Sequence, residues 1–384
     1  MLALLLRYLS INTAAPNPDY ESVIKLFTQQ ACADGFVNQA VTLPSGNPVL
    51  VISYGGTSNL PAVVFNHHMD VVPAENFKEW ICNPFQPKMV GNQIFGRGTQ
   101  DMKAVGIAHY MALKKLKAEG FKPKRSVHLL FVPDEERGGF HGTKEFIQHH
   151  IFSKLNIGYV VDEGMPSGSS TELLIKTEER TPIQIRIVSK GAMGHASVLF
   201  NDNCTHGLVE FLHELTSFQK AQREQTNKYQ PGKLISTHIT SLRTNSSSLN
   251  VIPSLAEATV DIRVPAQYSL EEVKLHIQSL ANKYRSISWE VLATSEERMT
   301  PLSLESGLYR TLCRVVQDHG YIPKPFAFEA TTDLRFYSSL GIEGVGLTPF
   351  TIAPNLHGTN ESIYVSDLVL ATNIFYNFLI KFSL

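Results

Sequence analysis

The sequence predicts an α/β protein: a domain with a mostly parallel sheet flanked by helices, interrupted by a smaller α+β domain of ferredoxin-like order. Two observations predict it. Before residue 181 and again after residue 294, short apolar runs alternate with amphipathic helical stretches, the pattern of parallel strands joined by crossover helices. Between 181 and 294 the strands alternate apolar with polar residues and come in the order strand, helix, strand, strand, helix, strand. The reading therefore divides the chain into a discontinuous domain, 1–180 with 295–384, and an inserted domain, 181–294.

Each element follows from its own pattern. Leu2, Leu5, Leu6 and Leu9 sit at helical spacing and form a first amphipathic helix that ends before Pro16. Val63–Phe65 is a short buried strand. Met102, Val105, Ala108, Ala112, Leu113 and Leu116 mark a helix that closes at Gly120. Val127–Val132 is a second strand, stopped by Pro133, and Tyr159–Val161 is a third. In the insertion, Ile183, Ile185 and Ile187 mark a strand with one buried face. A helix over Leu208–Phe218, strands over Leu234–Leu242 and Glu257–Val264, a helix over Leu270–Tyr284 and a strand over Ser288–Ala293 complete it. A helix at Ser306–His319 and a strand at Gly344–Leu347 return to the first style.

Composition narrows the functional classes. The 34 Lys and Arg against 35 Asp and Glu leave a net charge of −1, which excludes a nucleic-acid partner or a polybasic membrane contact held by bulk charge. No unbroken apolar run reaches the ~18 residues of a membrane span. The apolar start Met1–Leu6 is interrupted at Arg7 and reads as a helix rather than a secretory signal. Four Cys with no C-x-x-C pair do not make a disulfide scaffold, and the expected compartment is the reducing cytoplasm. The 14 His are a mild excess.

The chemistry is carried by the residues just after the strands. After Val63–Phe65 come His67, His68 and Asp70. Asp101 stands just before the long helix. Val132 is succeeded by Pro133-Asp134-Glu135-Glu136, Val161 by Asp162-Glu163-Gly164, and the loop after Leu347 contains His357. Ligands bind at the C-terminal ends of strands in open parallel sheets, and imidazoles with carboxylates are what an N/O metal site needs.

These segments resemble the dinuclear-zinc peptidase and amidohydrolase family of aminoacylase, acetylornithine deacetylase and succinyl-diaminopimelate desuccinylase, with the greatest likeness to its cytosolic aminoacylase branch. The carrying motifs are H-M-D-V-V-P at 68–73, G-R-G-T-Q-D-M-K at 96–103, P-D-E-E-R-G-G at 133–139 and D-E-G at 162–164, then G-H-A-S at 194–197, N-V-I-P at 250–253, D-I-R-V at 261–264 and A-T-T-D at 330–333. The resemblance implies two Zn²⁺ per chain, with Co²⁺ or Mn²⁺ as substitutes. Asp101 would bridge them, His68 and Glu163 completing one set and Glu136 and His357 the other. Asp70 would orient His68, and Glu135 would act as general base on the metal-bridging water. Two divalent ions against three carboxylates leave one positive charge, which a bridging hydroxide neutralises. His195 would reach into the partner's site and stabilise the oxyanion, so the inserted domain would form a homodimer. Arg263 would pair with the substrate carboxylate, and Asn250 and Thr332 would add polar contacts. His67 has no role in this scheme. The implied reaction is hydrolysis of small N-acyl-L-amino acids to a carboxylate and a free amino acid. A related amidohydrolase or dipeptidase is the alternative, and a non-catalytic binding member of the fold is a remote one.

Overall fold

The computed structural model describes residues 1–199 and 203–383. The chain divides into two units. The first comprises Met1–Thr177, Leu302–Phe326 and Thr332–Leu384, and the second Glu178–Pro301 with Ala327–Thr331.

The first unit is built on a mixed eight-stranded sheet in the spatial order Val37–Thr42, Pro48–Tyr54, Val127–Val132, Ala62–His68, Ile157–Asp162, Glu343–Leu347, Glu172–Glu179, Ile322–Phe328. The four middle strands, from Val127–Val132 to Glu343–Leu347, run parallel. Toward the edges the pairing turns antiparallel. The middle strands are mostly apolar because both faces are covered: every residue of Ala62–His68 and of Val127–Val132 is buried, the polar Asn66, His67, His68 and His128 included. Helices Leu2–Leu9, Tyr20–Ala33, Lys103–Ala118, Gly307–Asp318 and Val365–Phe382 supply the rest of this core.

Several elements go beyond the sequence expectation. The strand Ile322–Phe328 contains Pro323 and Pro325, which mask a strand pattern and suit an edge position. The helix Val365–Phe382 is long and apolar enough, by length and composition, to cross a membrane. Its Leu368, Ala371, Ile374, Phe375, Phe378 and Leu379 are instead buried in the protein core, which accounts for its apolar character. Asp367, Asn373 and Asn377 break it up as a run of sequence.

The second unit is an antiparallel sheet in the order Ser236–Thr244, Leu255–Val264, Thr181–Lys190, Ile287–Thr294. Numbered along the unit this is two, three, one, four, the ferredoxin-like arrangement. Ile183, Ile185 and Ile187 point to one face with Ala258, Val260 and Ile262. The helices Cys204–Glu224 and Leu270–Ala281 cover that face with Leu208, Phe211, Leu215, Ile277 and Leu280.

Candidate metal centre

Six side chains of the first unit converge just beyond the C-terminal ends of its parallel strands. His68 is the last residue of Ala62–His68, and Glu163 directly follows Ile157–Asp162. Glu135 and Glu136 open the turn after Val127–Val132. That turn needs left-handed backbone at Gly138 and Gly139 (φ +102° and +65°), and a Cβ at Gly139 would meet Asp333 Oδ1 at 2.2 Å. Asp101 stands at the mouth of the helix Lys103–Ala118, and His357 lies in the long loop after Glu343–Leu347.

Asp101 is shared between two groups through opposite oxygens. Its Oδ1 lies 3.0 Å from His68 Nε2, which is 3.8 Å from Glu163 Oε2. Its Oδ2 lies 3.0 Å from His357 Nε2, which is 3.1 Å from Glu136 Oε2. Within each set the potential ligand atoms all lie within 4.8 Å of one another. Ligands at about 2.0–2.1 Å from a tetrahedral zinc ion stand about 3.3–3.4 Å apart, so both sets match the span of an N/O metal site. His68, Asp101 and Glu163 are buried, whereas the His357 side chain is 52% exposed.

The electrostatics point to a cation too. Burial works against charge on His68, yet Glu163 and Asp101 hold its pKa well above the usual imidazole value. Burial also opposes ionisation of Asp101, but hydrogen bonds with His357 and His68 keep it far below the ordinary carboxylate range. Burial and the Asp101 charge push Glu163 up to about 8. Burial and Glu163 lift Glu135 well above its usual value. Contacts with Asp101 and Glu136 raise His357 to about 10. Carboxylates crowded this closely need positive charge among them. Two imidazoles and three carboxylates are a donor set that divalent cations satisfy.

The surrounding bonds show how the donors are aimed. His68 Nδ1 is 2.9 Å from the Asp70 carbonyl oxygen and 3.8 Å from Asp70 Oδ1. The sequence expectation has Asp70 orient His68, and the Asp70 carbonyl is the group that faces the imidazole, while its carboxylate accepts the Glu135 and Glu136 backbone N–H groups at 3.2 and 3.0 Å. Asp70 thus ties the His68 strand end to the turn carrying both glutamates. Glu136 Oε1 accepts from Val72 N–H at 3.2 Å, leaving Oε2 toward His357. His67 faces the other way: its Nε2 lies 2.8 Å from the Tyr8 hydroxyl, and its ring is buried.

The remaining predicted residues have other surroundings. Thr332 is 1% exposed, and its hydroxyl accepts from the buried Lys176 ammonium at 2.6 Å, a core partner where the sequence expectation has a substrate contact. His195, Asn250 and Arg263 belong to the second unit. His195 and Asn250 are exposed on a short ribbon, in which His195 pairs with Val251 and Ala196 N–H donates to the Asn250 carbonyl at 2.9 Å. The Arg263 guanidinium donates to both Asp261 oxygens, at 2.6 and 3.1 Å, which leaves three of its five N–H groups for other partners.

Sequence reasoning misses three residues that organise the site. The Glu361 carboxylate is fully buried and accepts from Arg97 Nη1 and from the backbone N–H groups of Gly98, Gln100 and Asp101. Arg97 also donates to the carbonyls of His357 and Gly358, and Gln100 bonds to Ala353, Asn355 and Ser362. A lone arginine between two glycines, four residues before Asp101, is the available signal.

With this geometry established, the family model for peptidase family M20/M25/M40 matches residues 64–381. The chain belongs to that family. Among curated proteins it is 32% identical to aminoacylase-1B of Rattus norvegicus over 378 residues, covering 96% of this chain and 92% of the relative. Among solved structures, an M20 family metallo-carboxypeptidase from Sulfolobus solfataricus superposes with a TM-score of 0.78 at 18% identity over 98% of each chain. A dinuclear metal binding peptidase of the M20 family from Bacillus subtilis superposes with a TM-score of 0.69 at 14% identity, covering 100% of this chain and 99% of that one. As an M20 protein the chain is a hydrolase of the amidohydrolase and peptidase class, in a family that includes dinuclear metal-binding enzymes.

Proposed function

We propose that the chain is an aminoacylase, hydrolysing N-acyl-L-amino acids to a carboxylate and a free amino acid. The chemistry is supported by the pair of donor sets sharing Asp101. The substrate class is supported by the likeness to aminoacylase-1B over nearly the full length of both chains.

In this reading His68, Asp101 and Glu163 hold one ion, and Asp101, Glu136 and His357 the other, zinc being the native metal. What the ions supply when bound is Lewis acidity, which polarises a carbonyl and lowers the pKa of water. Glu135 takes a proton from the attacking water. The water oxygen bonds to the acyl carbon, the C–N bond breaks, and Glu135 passes the proton to the departing amine. Asp70 holds Glu135 and Glu136 in register through their backbone N–H groups. Arg263 and Asn250 contact the amino-acid part, a guanidinium being suited to a carboxylate. We assign Thr332 to the support of this region, because its hydroxyl is buried against Lys176.

His195 of the partner subunit donates to the developing oxyanion, which requires a homodimer built through the second unit. The edge strand Ser236–Thr244, with Leu242 exposed, is a surface such a pair can use. All four cysteines are free, in keeping with the cytoplasm.

The test is a hydrolysis panel of N-acetyl-methionine, N-acetyl-ornithine, succinyl-diaminopimelate and simple dipeptides with added zinc or cobalt. Turnover of N-acetyl-methionine above the others is expected. Efficient dipeptide cleavage without it would replace the aminoacylase reading by a dipeptidase one.

A further inference from the structure

We propose that Arg97, Gln100 and Glu361 form a clasp that sets the separation of Asp101 from His357 and thereby controls the affinity of one ion, that of the Asp101, Glu136 and His357 set. The inference rests on the two-ion reading above.

The two ion sites are built differently. Two donors of the first stand on stiff supports, His68 ending a central strand and Glu163 directly following one. The second depends on His357, which lies on a loop, is half exposed, and has a backbone φ of +62°. Residues other than glycine rarely adopt that conformation, and it persists only where the surroundings over-determine it.

The surroundings here are the loop that presents Asp101. Arg97 Nη2 donates to the His357 carbonyl at 3.1 Å, and Nη1 to Gly358 at 3.2 Å. Gln100 Oε1 accepts from Asn355 N–H at 2.8 Å, while Nε2 donates to Ala353 and Ser362 at 3.2 and 2.9 Å. Glu361 answers from the His357 loop. Its Oε2 accepts from Arg97 at 2.8 Å and Gly98 N–H at 2.9 Å, and its Oε1 from Gln100 N–H at 2.6 Å and Asp101 N–H at 3.2 Å. The Asp101 N–H and the His357 carbonyl are each one hydrogen bond from the same buried ion pair. None of these three side chains is placed to ligate an ion, so they act as positioning residues.

The experiment is calorimetric titration of zinc chloride into the chelator-stripped full-length chain, with hydrogen exchange of residues 353–361. His357→Ala identifies which of two binding events belongs to its set. Arg97→Lys keeps the buried charge but cannot reach two carbonyls and a carboxylate together. It is expected to weaken that same event about 10–100-fold, to leave the other within about threefold, and to speed exchange in the loop. Gln100→Leu, which leaves the ion pair intact, is expected to do the same and carries the test if Arg97→Lys does not fold. Wild-type affinity at both events, or equal weakening of both, overturns the clasp. Two undiminished events in His357→Ala would instead overturn the two-ion assignment on which it stands.

Discussion

His109 offers a sharp test of the core of the first unit. It is 1% exposed, stacked on Phe65 at 4.3 Å and set edge-on to Phe375 at 4.3 Å, with neither ring nitrogen hydrogen-bonded. Burial lowers its pKa from 6.5 to about 3. Below pH 6.5 the unfolded chain binds a proton that the folded chain refuses. The stability contributed by the neutral ring is therefore complete above pH 6.5 and is lost as the pH falls toward 3. At pH 5 the loss has run for about 1.5 units, or about 2 kcal/mol at 1.36 kcal/mol per unit. The assay compares urea unfolding of the wild type and His109→Leu at pH 8 and pH 5, following the first unit through Trp80 fluorescence. Ion release and the titration of other groups are common to both chains and cancel in the difference. His109→Leu should lose about 2 kcal/mol less than the wild type over this interval, and match it or better at pH 8, where two unsatisfied nitrogens are removed. Equal acid losses in the two chains would refute the assignment of a neutral, unpartnered imidazole.

Other perturbations have equally definite outcomes. Strong chelation should lower the melting temperature as well as abolish turnover, because each ion held a thousand-fold above its Kd contributes about 4 kcal/mol; an unchanged melting curve with full activity rejects the two-ion centre. His195→Ala should cut kcat about 10²–10³-fold with two ions per chain still bound by metal analysis, and metal loss in that variant would show the residue has another job. Gly106→Ala ordinarily favours a helix by about 1 kcal/mol. Here the new Cβ would stand 2.4 Å from the His67 ring, so a lower melting temperature is expected, with a cost of about 1–3 kcal/mol from overpacking; a rise in stability would mean that His67 is free to move.

Much of the fold is legible because the central strands and the long helices carry strong patterns. Val127–Val132 is read residue for residue, and Lys103–Ala118 is read to within one residue at each end. The edge strand Val37–Thr42 is not, since a half-covered edge strand has no continuous apolar run to mark it, whereas its neighbour Pro48–Tyr54 carries the buried run Val49–Ile52 and is nonetheless missing from the sequence reading. Among the site residues, those directly following strands are conspicuous because a carboxylate after an apolar run is chemically out of place. Glu361 and Arg97 are not, because a single Glu and a single Arg 264 residues apart read as ordinary surface charges until the fold buries both.

His67 and His68 show where the division lies. Adjacent in sequence and both on the strand Ala62–His68, they point to opposite faces, because strand side chains alternate. One meets the Tyr8 hydroxyl in the core, and the other meets Asp101 and Glu163. The local chemistry, carboxylates and imidazoles at strand ends around an α/β sheet, is written in the order of residues, because apolar period and turn residues act over a few positions. The spacing of donors drawn from five separated segments, the use of the Asp70 carbonyl rather than its carboxylate against His68, and the burial of the Arg97–Glu361 pair are decided only by packing, because each depends on a distance between residues that the chain order does not constrain.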